Sequence, residues 1–141
     1  MTLADANVLI YAFRTDTEHH AVSRKWLDGI VSGAAAFGVS PLVLSAVVRI
    51  TTNMRRSPQP SLHQEVFGFC DDLLVPSHCR IIEPGPNHWQ IFKRQCTDTG
   101  TTGPDVTDAW FAALAIEHGC TWISFDRDFA RFPQLDWREP S

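Results

Sequence analysis

Residues 3–11, with the sequence Leu-Ala-Asp-Ala-Asn-Val-Leu-Ile-Tyr, decide how the fold begins. The two apolar residues before Asp5 indicate a short buried strand, and the apolar run at positions 8–11 indicates a helix. Asn7 is a suitable cap for the first turn of that helix, because its side chain accepts hydrogen bonds from unpaired backbone N–H groups. The stretch therefore predicts a strand that runs directly into a helix, with Asp5 at the carboxyl end of the strand.

Strand and helix signals alternate along the rest of the chain. Apolar segments that suit buried strands lie at residues 35–39, 81–82 and 121–124, and the third of these is the last clear strand. Helical spacing of apolar residues, or helix start signals, predict helices over residues 18–30, 41–53, 61–74, from 85 onward and 108–118. Parallel strands need crossover connections, which helices usually supply. We expect an α/β fold, a three-layer α/β/α sandwich with a central parallel sheet, formed by a single domain of residues 1–141.

Three of the predicted helices have recognisable start signals. Ser40 precedes Pro41, which suits the first helical position. Ser61 and Gln64 have the spacing of a capping box. Thr107 is placed to cap the helix that begins at residue 108, and a glycine follows that helix.

The composition is that of an ordinary globular protein. Of 141 residues, 44% are hydrophobic and 20% are charged, so the compositions typical of disordered or collagen-like chains are excluded. Apolar runs such as residues 109–116 are far shorter than the roughly 20 residues that span a bilayer, and the N-terminus has no basic signal-peptide region. We expect a cytoplasmic protein without membrane contact. The four cysteines lack a C-x-x-C pair and are expected to be reduced, and the tryptophans, including Trp89, are expected mainly in the core.

Charge is distributed unevenly along the chain. The net charge of -4 argues weakly against a nucleic-acid binder. However, no acidic residue lies between positions 29 and 64, a segment that contains Arg49, Arg55 and Arg56. The average charge therefore does not exclude a basic side that binds RNA.

Three acidic residues are expected to meet at one edge of the sheet. Asp5 and Asp126 each follow a strand, and Asp108 begins a helix, and ligands of such sheets bind beyond the carboxyl ends of the strands. Each acid has another interpretation: Asp5 as a helix cap, Asp108 as an acid that favours the helix dipole, and Asp126 with Asp128 as part of a solvated turn. Independent caps have no reason to converge, whereas Mg²⁺ or Mn²⁺ requires converging oxygen ligands.

Three segments resemble the PIN-domain ribonucleases, and within them the VapC toxins of toxin–antitoxin pairs. They are Leu-Ala-Asp-Ala-Asn-Val-Leu at 3–9, Thr-Asp-Ala-Trp-Phe-Ala-Ala-Leu-Ala at 107–115 and Ser-Phe-Asp-Arg-Asp-Phe at 124–129. The resemblance implies that Asp5 and Asp108 are metal ligands, with Asp126 as a third metal-binding acid and Asp128 as an assisting acid. It also leaves a set of polar residues to contact RNA, namely Asn7, Ser45, Arg49 and Ser124.

One position departs from the family pattern. The family usually has a glutamate three residues before an arginine in the helix after the second strand, and with Arg49 as the anchor that position is Ala46. The predicted helix, residues 41–53, contains no acidic residue at all. We therefore expect one weakly bound metal ion, because Mg²⁺ needs near-octahedral oxygen coordination and this chain supplies fewer ligands.

The resemblance implies a Mg²⁺-dependent endoribonuclease in which Mn²⁺ can substitute. It implies cleavage of structured cellular RNA, with tRNA favoured, to 3′-hydroxyl and 5′-phosphate ends, a small VapB-like antitoxin partner and a homodimer. Two alternatives remain from the residues alone. A haloacid-dehalogenase-like phosphohydrolase would use Asp5 as a nucleophile, although Asn7 stands where its second acid belongs. A PIN-like binding module would have lost catalysis together with the glutamate.

Overall fold

The computed structural model describes residues 1–53 and 59–141. In these two ranges the chain forms five β-strands, six α-helices and two short 3₁₀ segments. The strands are β1 (Thr2–Ala4), β2 (Phe37–Val39), β3 (Cys79–Ile81), β4 (Thr121–Ile123) and β5 (Trp137–Arg138). The helices are α1 (Ala6–Phe13), α2 (His20–Ser32), α3 (Pro41–Thr51), α4 (His63–Leu74), α5 (His88–Thr99) and α6 (Val106–His118). The 3₁₀ segments are Gly103–Asp105 and Arg127–Arg131.

The strands form one parallel sheet in the order β3-β2-β1-β4-β5. Helix α1 packs on α2 and α3, and α3 packs on α4, whereas α5 packs on α6. These two groups cover the two faces of the sheet, which confirms the expected α/β/α sandwich. Central strand β1 lies between β2 and β4, so the chain changes direction across the sheet at β1, the position where open α/β sheets bind ligands.

The core is built around the central strands and helix α6. Leu3 on β1, Trp122 on β4 and Leu114 on α6 are completely buried. Burying each of these side chains contributes roughly 1.5–3 kcal/mol relative to leaving it exposed. The ends of β1 and β4, and the start of α6, are therefore held at fixed positions by the best-packed part of the molecule.

Several capping predictions are wrong. Asp5, and not Asn7, is the N-cap of α1, and its Oδ1 accepts a hydrogen bond from the Ala6 N–H at 2.7 Å. Helix α6 starts after Asp105, so Thr107 lies inside its first turn. The N-cap of α4 is Leu62 without any side-chain cap bond, so the capping box at positions 61 and 64 does not form. The helices themselves were predicted from apolar spacing, which depends on core packing rather than on caps.

Two further features differ from expectation. Trp89 was expected in the core but is 63% exposed, because its helix presents Phe92 and buried His88 to the neighbouring helix instead. Strand β5 was not predicted, since only two residues pair with β4. Arg55 and Arg56 lie outside the residues that the structure describes. Among the described residues no helix has the length and apolarity needed to span a membrane, and the four cysteines form no disulfide.

Candidate active site

The register between β1 and β4 brings Asp5 and Ser124 together. Ala4 pairs with Ile123, and the Asp5 N–H donates to the Ile123 carbonyl oxygen at 2.8 Å. The residues that follow the two strands therefore emerge side by side. The Ser124 hydroxyl, which is fully buried, donates to Asp5 Oδ2 at 2.7 Å. Asp5 is thus fixed on both carboxylate oxygens, by Ser124 and by the start of α1.

Asn7 joins the same network from the first turn of α1. Its Nδ2 donates to Ser124 Oγ at 3.1 Å and, over a longer 3.4 Å, to Asp5 Oδ2. Its Oδ1 accepts from the Phe125 N–H at 3.3 Å. Ser124 Oγ also accepts from the Asp126 N–H at 3.0 Å. Asn7 and Ser124 therefore hold the β1 and β4 ends together and set the position of Asp126.

Asp108 reaches the site from the first turn of α6. Its Oδ2 accepts a hydrogen bond from Arg131 Nη2 at 3.0 Å, across the end of the second 3₁₀ segment. Arg131 Nη1 also lies 4.0 Å from Asp105 Oδ2. Both Asp108 and Arg131 are about a quarter exposed, so their ion pair is open to solvent at one side.

The three acids are close enough to influence one another. Burial raises the pKa of Asp5 to about 6, and the charges of Asp108 and Asp126 add to the rise, against the hydrogen bonds from Ser124 and Ala6. Burial and the charge of Asp126 also raise the pKa of Asp108, although Arg131 acts in the opposite direction. The site therefore holds more negative charge than its own surroundings neutralise, a situation that favours cation binding.

The carboxylate oxygens suit a hard cation, but the three acids do not converge on one point. No three His, Cys, Asp or Glu side chains in residues 1–53 and 59–141 are close enough to hold a metal ion together. In this arrangement a Mg²⁺ ion would take at most two carboxylates directly, and water or phosphate oxygens would complete its coordination. Asp5 and Asp108 are the two acids that the resemblance assigns to the metal, and the charge of Asp108 reaches Asp5, where it helps to raise the pKa.

Asp126 and Asp128 lie at the start of the second 3₁₀ segment. Asp126 Oδ1 accepts from the Asp128 N–H at 2.9 Å and caps that segment. The Asp128 residue is exposed, and among the described residues no ion pair or side-chain hydrogen bond of its carboxylate is found. Asp126 therefore lies close enough for its charge to act on Asp5 and Asp108, whereas Asp128 is exposed on the same turn.

The residues expected from α3 lie apart from this network. Ser45 and Arg49 are exposed and line a hollow between α3 and α4, together with Phe67 and Leu74. Ser45 also borders a second hollow that contains Trp110 from α6. Ala46 is half-buried on the same helix. No hydrogen bond or ion pair in the described part of the chain joins these α3 side chains to the acids.

Arg131 was not found by sequence reasoning. Its contact with Asp108 joins residues 23 positions apart and depends on the 3₁₀ segment, which has no strong sequence pattern. The only signal was a basic residue about one turn beyond the Asp126–Asp128 pair.

Comparison with known proteins agrees on one family. The PIN-domain family model matches residues 2–135. VapC ribonuclease Mb2897 of Mycobacterium bovis is 37% identical over 140 residues, which cover 99% of this chain and 95% of that protein. Ribonuclease VapC37 of Mycobacterium tuberculosis is 39% identical over 140 residues, which cover 99% of this chain and 97% of that protein.

Solved structures share the fold at much lower identity. The crystal structure of Mycobacterium tuberculosis VapC20, described as a sarcin-ricin-loop-cleaving toxin, gives a TM-score of 0.70 at 13% identity and covers 96% of this chain and 98% of its own. VapBC2 from Rickettsia felis, bound to a DNA fragment from its promoter, gives a TM-score of 0.68 at 17% identity, with 99% and 98% covered. These likenesses concern the fold alone.

Proposed function

The chain belongs to the PIN-domain family, among the VapC ribonucleases, and from that premise we propose that it is a Mg²⁺-dependent endoribonuclease toxin. Its proposed substrate is structured cellular RNA, with tRNA as the favoured class, and its proposed place of action is the cytoplasm. The observation that carries the proposal is the hydrogen-bond network at the carboxyl ends of β1 and β4, in which Ser124 donates to Asp5 and accepts from the Asp126 N–H. Asp108 on α6 lies close enough for its charge to help raise the pKa of Asp5. The relatives of nearly full length that are named ribonucleases support the same activity.

Each of these acids has a role in the proposed mechanism. Asp5 and Asp108 would hold the metal ion. Asp126 was expected as a third metal ligand, but no three acids in the described ranges converge on one point, so it would instead orient a water molecule for in-line attack on the scissile phosphate. When bound, Mg²⁺ supplies Lewis acidity toward a phosphate oxygen and lowers the pKa of the attacking water. Ser124 and Asn7 keep the Asp5 carboxylate in one orientation through their hydrogen bonds. Asp128, an exposed acid on the turn that Asp126 caps, would assist Asp126.

RNA contacts are proposed on two sides of this site. Arg49 and Ser45 are exposed on α3 and offer a charge and a hydroxyl to the RNA backbone. Asn7 is partly exposed beside the acids and would contact the nucleotide next to the scissile bond. Ser124 was also expected to contact RNA, but it is fully buried and its hydroxyl bonds Asp5, Asn7 and the Asp126 N–H, so its proposed role is to support Asp5 instead. Phosphate contacts of this kind fix the register of the RNA rather than its sequence.

We also propose a small VapB-like antitoxin as partner and a homodimer as the assembled form. Several solved structures of the same fold are described as toxin–antitoxin assemblies, including VapBC2 from Rickettsia felis and a complex from Klebsiella pneumoniae. The proposed partner is tested by co-expressing this chain with the small protein encoded beside its gene. We expect the two proteins to purify together.

The phosphohydrolase alternative receives no support from the geometry of Asn7. In that mechanism the residue two positions after the nucleophile is an acid that exchanges protons with the leaving group. Here the Asn7 side chain donates a hydrogen bond to Ser124 Oγ and accepts one from the Phe125 N–H, so its role is to hold the ends of β1 and β4 together. Covalent phosphate on Asp5 after incubation with a phosphate ester would revive this alternative.

Sequencing of RNA ends after induced expression tests the proposed function. We expect growth arrest together with new 5′-phosphate ends at one or a few positions in a structured RNA. A matched culture that expresses Asp16→Asn, which removes an exposed acid paired with Arg14, should show the same ends. Growth without new ends would favour the alternative of a PIN-like binding module without catalysis.

Ala46→Glu should restore a ligand that the site lacks. If α3 faces the acids as aligned, the added carboxylate should tighten Mn²⁺ binding about tenfold in calorimetry, because affinity for hard cations rises with the number of charged oxygen ligands. It should also lower the stability of the metal-free protein, since it adds a charge beside acids whose pKa is already raised.

Ser45→Glu is the matched control for this variant. It adds the same charge one position earlier, about 100° around the helix, where the side chain lines the hollows beside α4 and Trp110. Equal Mn²⁺ affinity in the two variants would show that α3 is aligned incorrectly.

A further inference from the structure

Arg131 is a cation placed inside an acidic site. Its guanidinium bonds Asp108 at 3.0 Å and lies 4.0 Å from Asp105, whereas Arg127 on the same 3₁₀ segment pairs outward with Glu139 at 3.0 Å. Among the described residues no other Lys or Arg forms an ion pair with Asp5, Asp108 or Asp126. Arg131 therefore occupies one of the two carboxylates that the proposed metal ion needs.

The hydrogen bonds of Arg131 are incomplete in this arrangement. A guanidinium has five N–H donors and prefers two parallel bonds to a carboxylate or phosphate. Arg131 donates one short bond to Asp108, and in the described part of the chain its buried Nε has no hydrogen-bond partner. An unpaired buried donor is costly, so the present arrangement does not satisfy Arg131 fully, and a turn of the guanidinium that gave Nε a partner would be favourable.

The packing of Arg131 allows it to change partner without leaving the site. Its guanidinium carbon lies 4.9 Å from the centre of the Phe132 ring, which is buried, and its side chain is about a quarter exposed. The ring provides a fixed surface on which the planar group can slide or turn.

We propose that Arg131 exchanges between two partners. In the cation-free protein it holds Asp108, and when a divalent cation occupies Asp108 it turns to a phosphate of the bound RNA. The second step rests on the proposed ribonuclease function, but the first does not. Arg131 thus offsets the charge of Asp108 before the cation arrives and adds a phosphate contact afterwards.

Calorimetric titration of Mn²⁺ into the RNA-free protein tests the first step. Arg131→Gln should bind Mn²⁺ about tenfold more tightly than the unmodified protein, because the cation no longer competes with a charge-assisted hydrogen bond. Arg127→Gln is the matched control, since it removes the same charge from the same segment, and its affinity should change less than about twofold. Unchanged or weaker Mn²⁺ binding by Arg131→Gln would overturn the proposal.

The salt dependence of RNA binding tests the second step. The probe is a fluorescein-labelled 20-nucleotide RNA followed by anisotropy, in Ca²⁺ and in EDTA. The measured quantity is the slope of log K for RNA binding against log[salt]. In Ca²⁺ this slope should be less steep in Arg131→Gln than in the unmodified protein by about 0.7 to 0.9, the value for one phosphate contact, and in EDTA the two slopes should be equal. An equal loss in both conditions, or a loss in neither, contradicts the exchange.

A measurement on the unmodified protein covers the case that Arg131→Gln does not fold, as judged by circular dichroism. The Nε–H resonance of Arg131, identified by its absence in Arg131→Lys, should move on addition of Mg²⁺, while that of Arg127 should not. A stationary Arg131 resonance at saturating Mg²⁺ would overturn the exchange. Absence of RNA cleavage with a Mg²⁺-dependent resonance would count against the proposed function alone.

Discussion

Asp5→Asn is expected to reduce RNA cleavage by at least about 100-fold while making the metal-free protein more stable at pH 8. The loss follows because the amide keeps the shape of the carboxylate but removes the charge that binds a divalent cation. A bound cation lowers the activation free energy of cleavage by several kcal/mol. Initial rates of cleavage in Mg²⁺, with circular dichroism to confirm the fold, measure this effect.

The gain in stability follows from the raised pKa of Asp5. Its folded pKa is about 6, above the value of 3.8 expected for an unfolded Asp, so the folded state binds the proton more tightly. Ionisation therefore costs stability progressively as the pH rises from about 4 to 6, and the full cost, on the order of 2–3 kcal/mol, applies above that range. Asn cannot ionise and avoids this cost.

Thermal unfolding in EDTA at pH 8 and pH 4 separates the two effects. Asp5→Asn should unfold several degrees above the unmodified protein at pH 8 and at about the same temperature at pH 4. Asp136→Asn, at an exposed acid paired with Arg138, serves as the control and should show no gain at pH 8. Lower stability of Asp5→Asn at both pH values would mean that Asp5 acts mainly as the cap of α1.

Asp108→Asn is expected to lower cleavage by at least about 100-fold and to weaken Mn²⁺ binding more than about tenfold. The Asn oxygen still accepts the hydrogen bond from Arg131, so the 3₁₀ segment keeps its anchor and the fold should be retained. Cleavage rates and calorimetric titrations on the same preparation measure both quantities.

Asp105→Asn is the matched control for Asp108. It removes an acid three residues away that lies near the same arginine but is more than half exposed. Its cleavage rate should stay within about threefold of the unmodified rate, because exposed charge pairs contribute little. Full activity of Asp108→Asn would show that this acid serves only the dipole of α6.

Much of the site could be predicted because it depends on strand ends and apolar spacing. The acid after β1 and the residues after β4 follow directly from where two apolar segments stop, and parallel pairing then places them at one edge. The order of the three motif segments along the chain was sufficient to predict the family. Features that depend on the apolar pattern of several neighbouring residues could therefore be predicted from the sequence.

The parts that were predicted wrongly or not at all depend on individual side-chain contacts. Asp5 rather than Asn7 caps α1, because the turn after β1 leaves the Asp5 side chain beside the first free N–H, while Asn7 is drawn to Ser124. The pairing of Arg131 with Asp108 depends on how a 3₁₀ segment folds back onto α6. The sequence allowed both Asp5 and Asn7 as the cap and could not decide between them, whereas no sequence pattern indicates the pairing of Arg131 with Asp108.

The missing acid at Ala46 is consistent with the geometry of the site. No three potential ligands gather around one point in the described ranges, 1–53 and 59–141, and Arg131 occupies one carboxylate. A site of this kind should bind a cation weakly until RNA supplies phosphate oxygens. Metal binding and RNA binding are therefore expected to support each other.

Cleavage of purified tRNA by the purified protein is the decisive assay of the proposed ribonuclease activity. We expect cleavage in Mg²⁺ that leaves 5′-phosphate and 3′-hydroxyl ends, that stops in EDTA, that returns on addition of Mn²⁺ and that Asp5→Asn abolishes. Total cellular RNA, assayed in parallel, covers a substrate other than tRNA. Cleavage that continues in EDTA, or no cleavage of either RNA pool at saturating Mg²⁺ by a folded protein, would contradict it.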